Sequence, residues 1–279
     1  MMGGLAMDPR ITPFNGRVAH ETLRGKLEAP SFTLGQGAQV SVSAADLRAS
    51  SDGPRLRQLL FGDAFLVLER QEGFAFGQSQ KDGYCGYISE DQLGVEQAVT
   101  HWVASPASHI YKTPKVQAPE VLSLSMGARL AVLSQGEKFF ETPQGFVPKH
   151  HLRVLGNWHP DPVAVAQIFL GTPYLWGGNT RSGLDCSGLV QAALLACGMA
   201  CPSDSDLQQS LGKSLADKAP LKRGDLLFWK GHVAMAINAD VIIHANAASM
   251  SVVVENAKTA PTRILAAGGG PILARRRIL

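Results

Sequence analysis

The stretch Pro173-Tyr174-Leu175-Trp176-Gly177-Gly178, followed by Asp185-Cys186-Ser187-Gly188-Leu189-Val190-Gln191-Ala192-Ala193-Leu194-Leu195, decides the fold. Its first part reads as a loop whose Gly pair lets backbones approach closely. Its second part opens abruptly on Asp-Cys-Ser and becomes an apolar helix that Gly198 ends. Cys186 therefore falls in the first turn of a buried helix, where free N–H groups and the positive dipole end favour a thiolate. Two histidines follow, His232 in Gly-His-Val-Ala-Met-Ala-Ile and His244 in Val-Ile-Ile-His-Ala-Asn.

Strand register decides whether these histidines can meet. If Asn238-Ala239-Asp240 is a three-residue hairpin loop, Ile237 pairs with Val241 and His244 lies opposite Ala234. His232 is then a diagonal neighbour of His244 on the same face. A two-residue loop would put the two rings on opposite faces. The first register gives a Cys–His–His line, with Cys186 as nucleophile, His232 as base and His244 orienting His232.

Around this line the pattern is helical first and β later. Asp161 caps and Pro162 opens a helix from Val163 to Leu170. Pro202-Ser203-Asp204-Ser205 caps a short helix reaching about Leu211. Strands His232–Ile237, Val241–Asn246, Val252–Val254 and Ile272–Arg276 form a mostly antiparallel sheet, which is the α+β order. A boundary falls near Gly156-Asn157-Trp158, so this unit spans residues 157–279.

Upstream, the period shortens to closely spaced strands. Asp63–Arg70 turns at Glu72-Gly73 into Phe74–Gln78, and Asp82-Gly83 is a hairpin signal before Tyr84–Ile88. Such strands predict a small barrel over residues 36–97. Gly86-Tyr87-Ile88 with Leu93 recurs as Gly145-Phe146-Val147 with Leu152, and Gly62–Leu68 resembles Gly127–Leu133. A duplicated barrel over residues 98–156 is the simplest cause. Residues 1–35 read as an arm packed on the body, with a short helix within Val18–Leu27.

A chain of 279 residues suits several domains, and 45% hydrophobic with 18% charged residues excludes a disordered chain. The net charge of +3 is mild, and Arg275-Arg276-Arg277 reads as a solvated strand end rather than a nucleic-acid surface. Met1–Arg10 shows no basic region before an apolar core, and no run approaches the roughly 18 apolar residues that span a bilayer. A cytoplasmic protein without membrane insertion is expected. Cys197 and Cys201 lack a second ligand pair at zinc-like spacing and read as free thiols, so no metal or cofactor is expected.

Taken in unbroken order, Pro173–Gly178, Asp185–Gly188, Gly224-Asp225-Leu226, Gly231–Ala234 and Ile243-His244-Ala245 resemble the signatures of the NlpC-type cysteine peptidases. These are papain-like enzymes that cut bacterial cell-wall peptides. The upstream barrels are similar to the bacterial SH3-like domains that precede this domain in γ-D-glutamyl-diamino-acid endopeptidases. The resemblance implies an α+β papain-like catalytic domain behind two all-β SH3-like barrels. It implies hydrolysis of the amide between γ-D-glutamate and a diamino acid such as meso-diaminopimelate, in short murein peptides with a free N-terminal L-alanine. Carried over, Cys186, His232 and His244 form the triad and Tyr174 lies at the oxyanion or substrate side. Asp185, Ser187 and Ser205 bind the peptide. Tyr84, with Tyr87 next, is the aromatic residue of the first barrel expected to meet the free amine, and Asp52 the acid. The rival readings are a murein-peptide binding protein with an inert catalytic domain, and a papain-like amidase or acyltransferase on another substrate. The oligomeric state is left open.

Overall fold

The computed structural model describes residues 7–279, so Met1–Ala6 of the expected arm lie outside the described residues. The rest of the arm is not helical. Val18–His20 pairs in parallel with Ser31–Thr33, and only a 3-10 turn, Glu21–Leu23, separates them. Gly25, at φ +78°, turns the chain there. Val18 is buried against Leu68, Phe76 and Cys85, so a β-branched residue joins the neighbouring sheet instead of opening a helix.

Next comes a seven-stranded sheet. Its strands lie in the order Arg55–Leu60, Ala44–Arg48, Cys85–Ser89, Phe74–Ser79, Ala64–Gln71, Gln36–Val40 and Leu93–Gly94. Alternation puts Leu47, Leu59, Phe65, Val67 and Ile88 in one core. Burying each such side chain contributes about 1.5–3 kcal/mol relative to leaving it in water. Glu72 and Gly73 both take positive φ, the backbone of the tight hairpin expected there.

Residues 101–154 form two smaller sheets. One orders Glu120–Ser125, Ala107–Tyr111, Gly145–Pro148, Phe139–Thr142 and Ser134–Gln135; the other orders Arg129–Leu130, His101–Val103 and Leu152–Val154. The succession of partners follows that of the preceding sheet, except that pairing opens between Leu130 and Ser134. Phe61 leaves its own sheet to join the core of Val103, Ile110, Leu124 and Val147. At Gly62 an added Cβ would lie 2.0 Å from the Arg129 carbonyl oxygen, so this junction requires glycine.

The remaining residues build the α+β unit. Helix α1, Pro162–Ile168, is capped by Asp161, which accepts from the Val163 N–H. Helix α2, Cys186–Ala196, is capped by Asp185. Helix α3 is the single turn Ser205–Gln208. The six-stranded sheet orders Lys213–Ser214, Ala274–Arg277, Leu226–Trp229, His232–Ala236, Val241–Asn246 and Ser251–Asn256. One face of the sheet, with Val233, Met235, Ile243 and Val252, packs on Leu189, Val190 and Ala193 of α2. The other face, with Leu227, Trp229 and Ala234, is covered by helix α4, Ala260–Ala266, which the sequence reading did not anticipate.

The arginine run is a paired strand rather than a solvated end. Ala274–Arg277 bonds to strands on both sides, and Arg277 forms an ion pair with Asp225 at 2.8 Å. The four cysteines are free. Among the described residues no helix is long and apolar enough to cross a membrane, and none form a metal-ligating cluster of His, Cys, Asp and Glu.

Candidate active site

The hairpin takes the three-residue loop. Met235 pairs with Ile243 and Ala236 with Ile242, and the Ile237 N–H donates to the Val241 carbonyl. His232 and His244 accordingly share a face, with Nε2 of His232 2.8 Å from Nδ1 of His244. His244 is wholly buried. Its Nε2 lies 2.8 Å from Oε2 of Glu255, a residue of the next strand that the sequence reading missed. Arg263 of α4 in turn bonds both carboxylate oxygens of Glu255, at 2.8 and 2.5 Å.

Cys186 opens α2 and meets the same strand. Its Sγ lies 3.9 Å from the Gly231 carbonyl oxygen, and the Val233 N–H points at the sulfur, so the thiol contacts backbone on both sides of His232. The resting state differs from the expected thiolate. Burial, with Asp185 adding to it, pushes the thiol up to about 12, against the opposing pull of backbone N–H groups and Arg57. Burial and the neighbouring His244 bring His232 down to about 3. Thiol and imidazole both rest neutral, because the helix start does not offset the loss of solvent.

These buried imidazoles make acid a denaturant. The unfolded chain takes up histidine protons near the ordinary value of 6.5, whereas His232 holds none until about 3, so stability falls as pH drops through that window. The urea midpoint should decrease from pH 7 to pH 4.5; a midpoint flat over that range would contradict the buried neutral pair.

Asp185 ties three segments together. Its Oδ1 accepts from the Gly188 N–H at 2.6 Å, which is the helix cap, and its Oδ2 accepts from the Gly177 N–H at 2.9 Å. The same Oδ2 receives Nη1 of Arg57, from the first sheet, at 2.6 Å. Ser187 donates its hydroxyl to Asp185 and accepts from Arg57, each at 3.2 Å. Arg57 was missed in the sequence, although strand alternation from Leu59 places it on the buried face.

A cleft opens beside the thiol, lined among others by Tyr174, Trp176, Asp185, Ser187 and Ser205. Burial pushes Tyr174 up to about 12, so its hydroxyl stays a donor. Leu56 and Arg57 of the first sheet and Arg10 of the arm also line it. Arg10, from the arm, bonds Asp204 at 2.8 Å and Asp206 at 2.6 Å. Tyr84 is buried and donates its hydroxyl to Asp204 at 2.8 Å. Asp52 is not brought to the cleft: it lies exposed in the turn between Ala44–Arg48 and Arg55–Leu60, bonded to the Ser50 hydroxyl. Tyr87 faces away from the cleft as well, stacked near Phe76.

A thiol at a helix start set against a histidine pair on a β-hairpin is the layout of a papain-like cysteine peptidase. Residues 171–264 match the NlpC/P60 family, and residues 47–93 match the bacterial dipeptidyl-peptidase SH3 domain. The chain carries an NlpC/P60 peptidase domain behind a bacterial SH3 domain. It is 25% identical over 214 residues to dipeptidyl-peptidase 6 of Lysinibacillus sphaericus, covering 68% of this chain and 79% of that one. It is 31% identical over 201 residues to the γ-D-glutamyl-L-lysine dipeptidyl-peptidase of Bacillus cereus, covering 62% of this chain and 59% of that one. The crystal structure of an NlpC/P60 family protein from Bacillus cereus superposes with a TM-score of 0.75 at 24% identity, over 88% of this chain and all of that one, and shares the fold.

Proposed function

We propose that this peptidase hydrolyses the amide between γ-D-glutamate and a diamino acid, meso-diaminopimelate among them, in short murein peptides with a free N-terminal L-alanine. The observation that carries this reading is the wall that the first sheet and the arm give the cleft, with Leu56, Arg57 and Arg10 lining it beside Cys186. The lining there holds Asp185, Asp204 and Asp206 against Arg10 and Arg57, an excess of one carboxylate that suits an ammonium group. Tyr84 serves this subsite through Asp204. Asp52 has no part in it. The relatives' names, dipeptidyl-peptidase 6 and γ-D-glutamyl-L-lysine dipeptidyl-peptidase, favour the same substrate class. Short murein fragments as substrate suit recycling of wall peptides in the cytoplasm.

In this reading residues 36–97 and 98–156 are two SH3-like domains and residues 157–279 the catalytic domain. The recurring strand succession supports the second of these. Cys186 attacks the γ-carbonyl as His232 takes the thiol proton, which a neutral resting pair requires. The oxyanion meets the Cys186 N–H at the start of α2, together with the Tyr174 hydroxyl. His232 returns the proton to the leaving amine, and water then hydrolyses the acyl-enzyme. Ser187 and Ser205 line the peptide.

Mass spectrometry of L-Ala-γ-D-Glu-meso-diaminopimelate beside its N-acetylated copy tests the reading. The free peptide should be cut between the second and third residues. Acetylation removes a charged hydrogen bond of about 1.5–3 kcal/mol, or roughly 10- to 150-fold in kcat/KM. Equal cleavage of both would discard the amine subsite and leave the peptidase intact.

A further inference from the structure

The structure assigns Glu255, held by Arg263, as a positioning residue that fixes the tautomers of His244 and His232; this rests on the peptidase reading of Cys186 and His232. His244 Nε2 has two neighbours, Oε2 of Glu255 at 2.8 Å and Nδ2 of Asn246 at 3.0 Å. The Asn246 Oδ1 already accepts from the Ser249 N–H at 2.8 Å, so its amide nitrogen faces the imidazole. One ring nitrogen cannot donate to Glu255 and accept from Asn246 at once.

Glu255 wins that contest. Arg263 keeps it ionised, and a carboxylate at 2.8 Å from an unprotonated ring nitrogen would set two lone pairs against each other. The Nε2 proton of His244 therefore points at Glu255, which leaves Nδ1 as an acceptor. His232 then donates its Nε2 proton across the 2.8 Å contact, and its own Nδ1 keeps the lone pair that can receive the thiol proton. If Nε2 of His244 accepted from Asn246 instead, every proton on the line would move one place. His232 would present an N–H to the thiol and could not act as a base. Glu255, from Ser251–Asn256, and Arg263, from α4, thus hold the line without touching the reacting atoms.

Two variants and one spectrum test this. Glu255→Leu leaves Asn246 as the remaining partner of His244 and should lower kcat by about 10²–10⁴-fold, the range of a lost general base, with KM little changed. Glu255→Gln removes the charge that favours histidine protonation, while His244, Arg263 and Asn246 still face the pair, so the acid limb of the kcat/KM profile should move to lower pH. A merely structural role would lower the melting temperature and leave that limb in place. The ¹⁵N imidazole shifts of the wild-type protein should show His244 protonated on Nε2 and bare on Nδ1. A proton on Nδ1 of His244, or folded Leu and Gln variants with wild-type kcat and pH profile, would overturn the assignment. The spectrum needs no variant to fold and no substrate. A wild-type protein inert toward every murein peptide but with Nε2–H on His244 would sink the peptidase reading and leave the relay.

Discussion

With Cys186 replaced by Ala or Ser, turnover of the short murein peptide falls by about 10⁴- to 10⁶-fold, the loss that follows removal of a triad nucleophile. The fold should survive. Truncation to Ala deletes one buried atom that touches the Gly231 carbonyl, and Ser keeps a donor at that place. Asp185 still caps α2 through its bond to the Gly188 N–H, and the apolar face of α2 is untouched. The control thiols separate chemistry from packing. Cys201 is buried and Cys197 partly so, and burial is the main cause raising both. Cys197→Ala should leave kcat unchanged and cost stability at most. Full activity in the Cys186→Ala protein, or an inactive but folded Cys197→Ala protein, would show the nucleophile to be misassigned. Circular dichroism and peptide cleavage on the same samples decide it.

The His232–His244 contact and the place of Cys186 at a helix start were legible in the sequence because each obeys local rules. Asp185 before an apolar run marks a helix start, and a three-residue loop fixes which strand residues share a face, which is what brings His232 and His244 together. The residues that were missed act across long separations. Arg57 and Asp185 are 128 positions apart, and their pairing depends on how one sheet docks against a helix start. Arg10 reaches Asp204 across 194 positions. Tyr84 bonds Asp204 across 120 positions, a contact that depends on the same docking. No local motif marks the acidic residue that the resemblance implies, and hairpin geometry puts Asp52 in an exposed turn. Glu255 could have been found: with His244 opposite Val253, the residue two places on is a diagonal neighbour. Helix α4 escaped because it is only 7 residues long and opens on Ala-Pro without a capping side chain.

Removing Arg57 should do the largest damage to stability of any single change at the cleft. The guanidinium is 3% exposed and its partner Asp185 8%, so solvent cannot replace the lost charge. Arg57 keeps its proton in spite of burial because Asp185, and next Asp204, favour it. Its Nε and Nη2 have no hydrogen-bond partner, so the interaction rests on Nη1 and its bonds to Asp185 and Ser187. Breaking such a pair from one side leaves an uncompensated carboxylate and costs about 3–5 kcal/mol, or a fall in melting temperature on the order of 10 °C for Arg57→Ala. Arg57→Ala with Asp185→Asn should recover part of that loss, since no charge is orphaned, although one amide oxygen cannot accept from both the Gly188 and the Gly177 N–H groups. Reactivity should separate from stability in the same variants. Arg57 lowers the Cys186 thiol and Asp185 raises it, so iodoacetamide should alkylate Arg57→Ala more slowly and Asp185→Asn faster than wild type at one pH. An unchanged melting temperature in Arg57→Ala would mean that the first sheet is held to the catalytic unit by its other contacts, such as the Tyr84–Asp204 bond. Equal alkylation rates in all three proteins would mean that the charges beside the thiol offset each other without setting its reactivity. The expected pattern, a large stability loss with opposite shifts in reactivity, would make the docked sheet part of the nucleophile's environment as well as the wall of the cleft.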